Sequence, residues 1–248
     1  MLRQILTTTR LFKPPNKFNV SAMTLYIAGF HIPITQTQAL NAAGWASIIY
    51  WFKRCMPNAD KRARIEKEAG PIKSMPPGKQ GQLVSAVHAL GLFGPIAAFV
   101  FSFPFTGFRV PGWLTKTSLP TIENQELYLG LRLGACAATF AGTYAARLTF
   151  RHLGSQWGAI GVRERPKIVK TGPYALVRHP GYFLAMSEQL ILIPLFWNWI
   201  FAPAFVLTSI AFAVKMPMEE RVIEQSDIGE DYKRYKKEVP YRVIPYLW

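Results

Sequence analysis

The chain has 248 residues, long enough for one sizeable domain or two small ones. Half of the residues are hydrophobic and mean hydropathy is +0.11, yet the formal net charge is +15. The basic balance does not point to nucleic acid: Lys and Arg gather in loops between apolar runs, the positive-inside pattern of a membrane protein, and no nucleic-acid-binding motif accompanies them. No acid precedes Asp60, and no formal charge lies between Lys17 and Lys53 or between Lys79 and Arg109. The two cysteines, Cys55 and Cys136, give neither a disulfide framework nor a zinc-ligand spacing, so no metal is expected.

Residues 1 to 20 carry Arg3, Arg10, Lys13 and Lys17, three consecutive threonines and no acid. They look like a weak mitochondrial presequence. Apolar sequence begins directly afterwards, which favours a cytosolic tail ahead of a first span. Residues 18 to 52 are uncharged. As one helix they would extend roughly 50 Å, beyond the ~30 Å hydrocarbon core. Two short spans turning near His31-Ile-Pro33 or slightly later are therefore predicted, with a single crossing of 18 to 52, which gives five spans in all, as the alternative. Residues 53 to 79 form a basic loop, and 83 to 107 a span kinked at Gly94-Pro95. After a mixed-charge loop, 127 to 150 form a Gly- and Ala-rich span whose Arg132 and Arg147 lie near enough to its ends to snorkel. Residues 183 to 214 are too long for one comfortable span, and Trp197-Asn198-Trp199 at their middle predicts a hairpin of two helices. The tail, 215 to 248, is charged and amphipathic.

This pattern predicts an all-α integral membrane bundle of five to six spans. Six crossings put both termini and both basic loops in the cytosol. The division is into N-terminal membrane helices, 1 to 150, and a C-terminal region, 151 to 248, of loop, hairpin and amphipathic tail.

Chemistry-bearing residues concentrate at the two ends of that hairpin. Thr171 to Tyr182 (Thr-Gly-Pro-Tyr-Ala-Leu-Val-Arg-His-Pro-Gly-Tyr) is the densest polar and turn-forming stretch. Lys215, Glu219 and Glu220 stand at the other end. A tight hairpin brings Arg178, His179 and Tyr182 close to Lys215, Glu219 and Glu220 at the cytosolic face. Such a pocket suits a zwitterionic, ring-bearing small molecule. Two juxtamembrane charge clusters that pair with each other and with headgroups fit the spacing equally well. Glu188 sits in an apolar segment, where a buried acid is costly and often functional; an interfacial position is the alternative. His88 reads as structural, and Tyr232 and Tyr235 as packing of the tail.

The ordered set Gly172-Pro-Tyr174, Arg178-His179-Pro180-Gly181-Tyr182, Glu219-Glu220, Asp231-Tyr-Lys-Arg-Tyr235 and Val239-Pro-Tyr-Arg-Val-Ile-Pro-Tyr-Leu-Trp248 resembles the isoprenylcysteine carboxyl methyltransferase family, the wider group that includes phospholipid methyltransferases. The resemblance covers about residues 150 to 248. It implies an S-adenosylmethionine site built by loop and tail together. Lys167, Ile168 and Val169 match the segment that offers main chain and apolar contacts to the cofactor. Tyr174, Arg178, His179, Pro180, Gly181 and Tyr182 match the run that wraps it, and Glu219, with Glu220 beside it, the glutamate that binds it from across the hairpin. Lys215 stands where the family often has an arginine directed at the substrate carboxylate, so Arg178 and Lys215 are the cations implied in catalysis. Leu184 replaces a usual glycine, and Pro166 a histidine of some members.

The implied reaction is methyl transfer to a membrane-embedded lipid, first of all the C-terminal carboxylate of a prenylated protein. That carboxylate is already ionised at neutral pH and needs alignment rather than a general base. A phospholipid headgroup N-methyltransferase is the nearest alternative; there His179 or Glu220 would accept the proton. An NADPH-dependent sterol-reductase-like protein and a non-enzymatic membrane scaffold are more distant ones. The family implies the endoplasmic reticulum membrane; the acid-free N-terminus leaves the mitochondrial membrane open.

Overall fold

The computed structural model describes residues 24–27, 30–158 and 160–247. Extended strands β1 (Thr24–Ile27) and β2 (Phe30–Thr35) pair antiparallel. Thr35 then starts helix α1 (Gln36–Cys55): its hydroxyl accepts from the Gln38 amide while the Gln38 side chain returns to the Thr35 N–H. This reciprocal cap satisfies two otherwise orphan donors. Asn58 caps α2 (Ala59–Ala69), which ends at Gly70 with φ +74°. Strand β3 (Ile72–Ser74) pairs with β4 (Val162–Arg163), clipping the first basic loop to the second. Helix α3 (Gln80–Ser102) carries Pro95 inside it, and α4 (Gly112–Thr115) is a single turn. Helix α5 (Gln125–Leu153) starts at Asn124, whose side chain accepts from the Leu127 amide. Helices α6 (Pro180–Phe196) and α7 (Phe201–Glu224) form the hairpin, and α8 (Gly229–Glu238) lies in the tail.

The hairpin breaks where the sequence predicts. Trp197 takes a left-handed conformation with φ +54°, and Asn198 donates to the Leu114 carbonyl at 3.0 Å. Helix α3 packs along α7, α5 along α6, and α1 along α5. Their shared core is aromatic: Phe99 stacks on Phe196 at 4.8 Å and on Phe201 at 5.5 Å. Helix α3 with its following turn (Gln80–Thr106) and helix α7 are long and apolar enough to cross a membrane, and α6 is a shorter apolar helix.

Two expectations are corrected. The described part of 18–52 holds one long helix, not two. Residues 30–35, Phe-His-Ile-Pro-Ile-Thr, run extended, and the Thr35–Gln38 cap sets the helix start beyond them. Gln38 donates to the Gly107 carbonyl at 2.9 Å and Asn41 to that of Phe108 at 2.8 Å. The N-terminal end of α1 therefore lies beside the 103–124 loop, at the opposite end of the helix from Lys53, Arg54 and Cys55. The six-crossing arrangement needed two helices here. The reading of residues 1–20 falls outside the described residues.

The second correction concerns Arg132. It does not snorkel: it is 2% exposed. Its guanidinium donates to the Leu195 carbonyl (2.7 Å), the Asn41 side-chain oxygen (2.7 Å) and the Tyr128 hydroxyl (2.9 Å). Leu195 lies in the last turn of α6, where carbonyls lack helical partners. Arg132 fills that vacancy from the neighbouring helix.

Candidate functional site

Gly172 opens the loop at φ +61°, a conformation that favours glycine. A Cβ there would lie 2.5 Å from His152 Nε2, so the loop also approaches α5 too closely for a side chain. A 3-10 turn, Gly172–Ala175, follows. His179 then precedes α6, with Pro180 at the first helical position, where its missing N–H costs nothing.

The tail straps onto this loop like a short strand. The Arg178 amide donates to the Tyr241 carbonyl at 3.0 Å, and the His179 amide to that of Arg242 at 2.7 Å. The Arg178 side chain donates from Nη1 to the Val239 and Pro240 carbonyls at 2.7 and 2.6 Å, and from Nε to Glu220 at 2.9 Å. Tyr235 donates to the Tyr174 carbonyl at 2.6 Å, which docks α8 under the loop. Tyr232, Tyr235 and Val239 bury together with Ile168 and Ile223. Burial raises the Tyr174 and Tyr232 phenols above their ordinary range and pushes that of Tyr235 up to about 12. All three remain hydroxyl donors at neutral pH.

Glu219 and Glu220 are sequence neighbours with different surroundings. Glu220, its side chain 3% exposed, pairs with two guanidinium groups, Arg178 at 2.9 Å and Arg242 at 2.9 Å, and meets the His179 ring nitrogen at 3.2 Å. Its hydrogen bond and charge raise the Arg242 guanidinium's hold on its protons. Glu219 instead accepts from the Tyr182 hydroxyl at 2.7 Å and faces a cavity of about 570 Å³. The Tyr182 ring stacks on His179 at 5.4 Å and on Phe212 at 4.3 Å, and the Lys215 ammonium lies 5.4 Å from its centre. Lys215 is 7% exposed and makes no ion pair among the described residues.

The hairpin thus brings together the residues singled out from the sequence. Lys167, Ile168, Val169, Tyr174, Arg178, His179, Gly181, Tyr182, Lys215 and Glu219 line the cavity, as do Pro166 and Leu184. Pro180, buried at the head of α6, and Glu220 are not among its lining residues. Tyr232 and Tyr235 line it as well as packing the tail, and so does His88, which the sequence reading left as structural. Arg242 was also missed as a working residue. Its position in the tail motif gave no hint that it meets Glu220. Away from the loop the cavity is walled by Ile48, Phe52, Phe93 and Ile96, from α1 and α3. A space polar at one end and apolar at the other can hold a polar molecule against a lipid chain.

The described residues form a mostly helical fold with two helices long and apolar enough to cross a membrane, and its cavity joins a polar chamber to an apolar arm at the mouth of a hairpin. Residues 135–225 match the model of the Isoprenylcysteine carboxyl methyltransferase (ICMT) family. The matched segment runs from mid-α5 through the loop and the hairpin to the end of α7, so the resemblance read from the motifs is borne out for the loop and the hairpin; the tail motifs, 229–248, lie beyond the match. The family is one of methyltransferases acting on isoprenylcysteine. No curated protein matches the chain.

Proposed function

We propose that the protein is an S-adenosylmethionine-dependent methyltransferase acting on a membrane-embedded lipid, with the C-terminal prenylcysteine carboxylate as its first substrate class. The observation that supports this best is the division of labour at Glu219 and Glu220. One carboxylate is consumed in holding loop to tail, and the other faces the cavity. Only Oε2 of Glu219 is hydrogen-bonded among the described residues, by Tyr182, so Oε1 is available to a ligand hydroxyl or amine.

The chemistry of the wall fits the cofactor. Glu219 suits hydroxyl or ammonium donors, and Tyr174, Tyr232 and Tyr235 with Ile168 suit a flat ring. Bound there, S-adenosylmethionine would supply an electrophilic methyl group on a sulfonium. Lys167, Ile168 and Val169 would offer main chain and apolar contact, with His179, Gly181 and Tyr182 closing the side toward the hairpin. Arg178, His179, Pro180 and Glu220 act by fixing the loop against the strap. Arg178 is already bonded through Nε and Nη1, so the ammonium of Lys215 is the cation that orients the carboxylate. A point charge does this without the two-pronged geometry of arginine. Because an α-carboxylate is ionised above its pKa of about 3.3–3.7, the site needs no base, only alignment and exclusion of water.

A phospholipid N-methyltransferase is the second reading. His88 and Glu188 both line the cavity and provide proton acceptors that a carboxylate substrate does not use. In either case α1, α3, α5, α6 and α7 would form a five-crossing membrane set, in the endoplasmic reticulum by family analogy. Methyl transfer to farnesylcysteine and not to phosphatidylethanolamine supports the first reading; the reverse supports the second; binding of NADPH in place of S-adenosylmethionine would sink both.

A further inference from the structure

The apolar arm of the cavity contains an acid with one oxygen unpartnered among the described residues. Glu188, on α6, is 9% exposed and lines the arm. It lies six residues beyond Tyr182, about 9 Å deeper along the helix. Its Oε1 has no hydrogen-bond partner among the described residues. Across from it, on α5, Gly142 leaves room: a Cβ at that position would come within 3.1 Å of Oε2. Thr139, one turn earlier on α5, is close enough to interact, but its hydroxyl donates to the Ala135 carbonyl at 3.1 Å. The adjacent Gln189 also has an unpartnered oxygen. Its amide nitrogen, however, ties α6 to the Gly91 carbonyl of α3 at 3.1 Å, and it does not line the cavity. Glu188 makes no such tie.

A buried carboxyl group with an empty acceptor is costly in an apolar setting. Packing does not require it there, since leucine would fill the same wall. The cost is offset if the occupant of the arm brings a donor.

We propose that Glu188 is a specificity-determining residue that accepts a hydrogen bond from the lipid substrate, which carries an N–H or O–H donor at the depth of Glu188, about 9 Å along α6 from Tyr182. This deepens the reading of the cavity as a lipid-methylating site with the acceptor beside Lys215. An unbroken hydrocarbon tail would leave Glu188 unpaired. On a prenylcysteine the matching place is a hydroxyl on the first or second isoprene unit. On a headgroup substrate it is the hydroxyl or amide of a sphingoid backbone.

The test uses the full chain in lipid nanodiscs with labelled S-adenosylmethionine. S-farnesylthiopropionate, which has a carboxylate and no N–H, is compared with its analogue hydroxylated on the second isoprene unit. Phosphatidylethanolamine is compared with ceramide phosphoethanolamine. Direct binding of each acceptor in the presence of S-adenosylhomocysteine is read from tryptophan fluorescence, since Trp51 lines the cavity. The donor-bearing member of one pair is expected to bind, and where turnover occurs to be methylated, at least about tenfold better, because sites built around a hydrogen bond reject analogues lacking it. Whichever pair shows the preference identifies the source. Glu188→Leu should abolish the ratio while S-adenosylmethionine affinity is kept, and Glu188→Gln, which retains an acceptor oxygen, should preserve most of it. Equal binding within both pairs, a preference for the plain lipids, or a ratio untouched by Glu188→Leu overturns the proposal. Donor-selective binding without methyl transfer would count against the methyltransferase reading alone.

Discussion

Two arginines are buried among the described residues, and their settings differ. Arg132 crosses from α5 to the end of α6 and donates only to neutral acceptors: a carbonyl, an amide oxygen and a phenol. Arg178 lies on a loop and donates to one carboxylate and two tail carbonyls. The first pins helices already held by an aromatic core. The second joins loop and tail, which are otherwise held by two smaller clusters, around Tyr232, Tyr235 and Val239 and around Phe212, Met216 and Val243, and it does so along the wall of the cavity. The comparison separates a structural cation from one whose loss should reach the ligand site.

The largest effect is expected at the carboxylate that Arg178 shares. Glu220→Ala leaves Arg178 and Arg242 facing each other without their anion. Breaking a buried pair in this way typically costs about 3–5 kcal/mol. A large drop in the thermal midpoint should accompany loss of S-adenosylmethionine binding; a stable, fully binding variant would refute the clamp. Arg132→Met should also destabilise, by roughly 2–4 kcal/mol, since several buried acceptors lose their donor. The protein that remains folded should bind S-adenosylmethionine with unchanged affinity. Loss of affinity there would erase the distinction between the two arginines.

Smaller effects sharpen the loop side. Gly172→Ala combines a left-handed φ with a contact on the His152 ring, a strain of about 1–3 kcal/mol. It should weaken S-adenosylmethionine binding more than it lowers stability, as measured by titration and melting of one preparation. Tyr235→Phe removes the bond to the Tyr174 carbonyl and should cost about 1 kcal/mol. The same phenol predicts a pH window. Its ionisation is raised from the ordinary value near 10 to about 12 in the folded protein. The stabilisation is therefore fully present below pH ~10 and lost as pH rises toward the folded value. Tail docking, followed by hydrogen exchange of α8, should be insensitive to pH between about 6 and 9 on this account. Lys170→Ala breaks an exposed pair with Glu238, and a change below ~1 kcal/mol is expected.

Much of the candidate site was legible because its signals are local. Turn residues mark the loop, the Trp197-Asn198-Trp199 interruption marks the hairpin, and a hairpin forces its ends together. Lys215 and Glu219 could be set against Tyr182 from that alone. What the sequence hid depends on distant partners. Arg132 lies near a helix end and looks free to reach water, but its acceptor is 63 residues away. Arg242 meets Glu220 from 22 residues away, with the end of α7 and the whole of α8 between them. The start of α1 is not marked by charge, because it falls within an uncharged run. The Thr35–Gln38 cap was the signal available there. His88 reads as an ordinary helix residue until α7 lays Phe212 against it at 4.7 Å.

The central claim is that loop, hairpin and strap form an S-adenosylmethionine site in which Glu219, not Glu220, meets the cofactor. It is tested most directly by equilibrium binding of labelled S-adenosylmethionine to the wild-type protein and to Glu219→Gln in the same nanodiscs. The account predicts saturable binding that S-adenosylhomocysteine displaces, weakened at least about tenfold in Glu219→Gln through loss of a charged acceptor, with the melting temperature nearly unchanged. Absence of saturable binding, or wild-type affinity in Glu219→Gln, would contradict it.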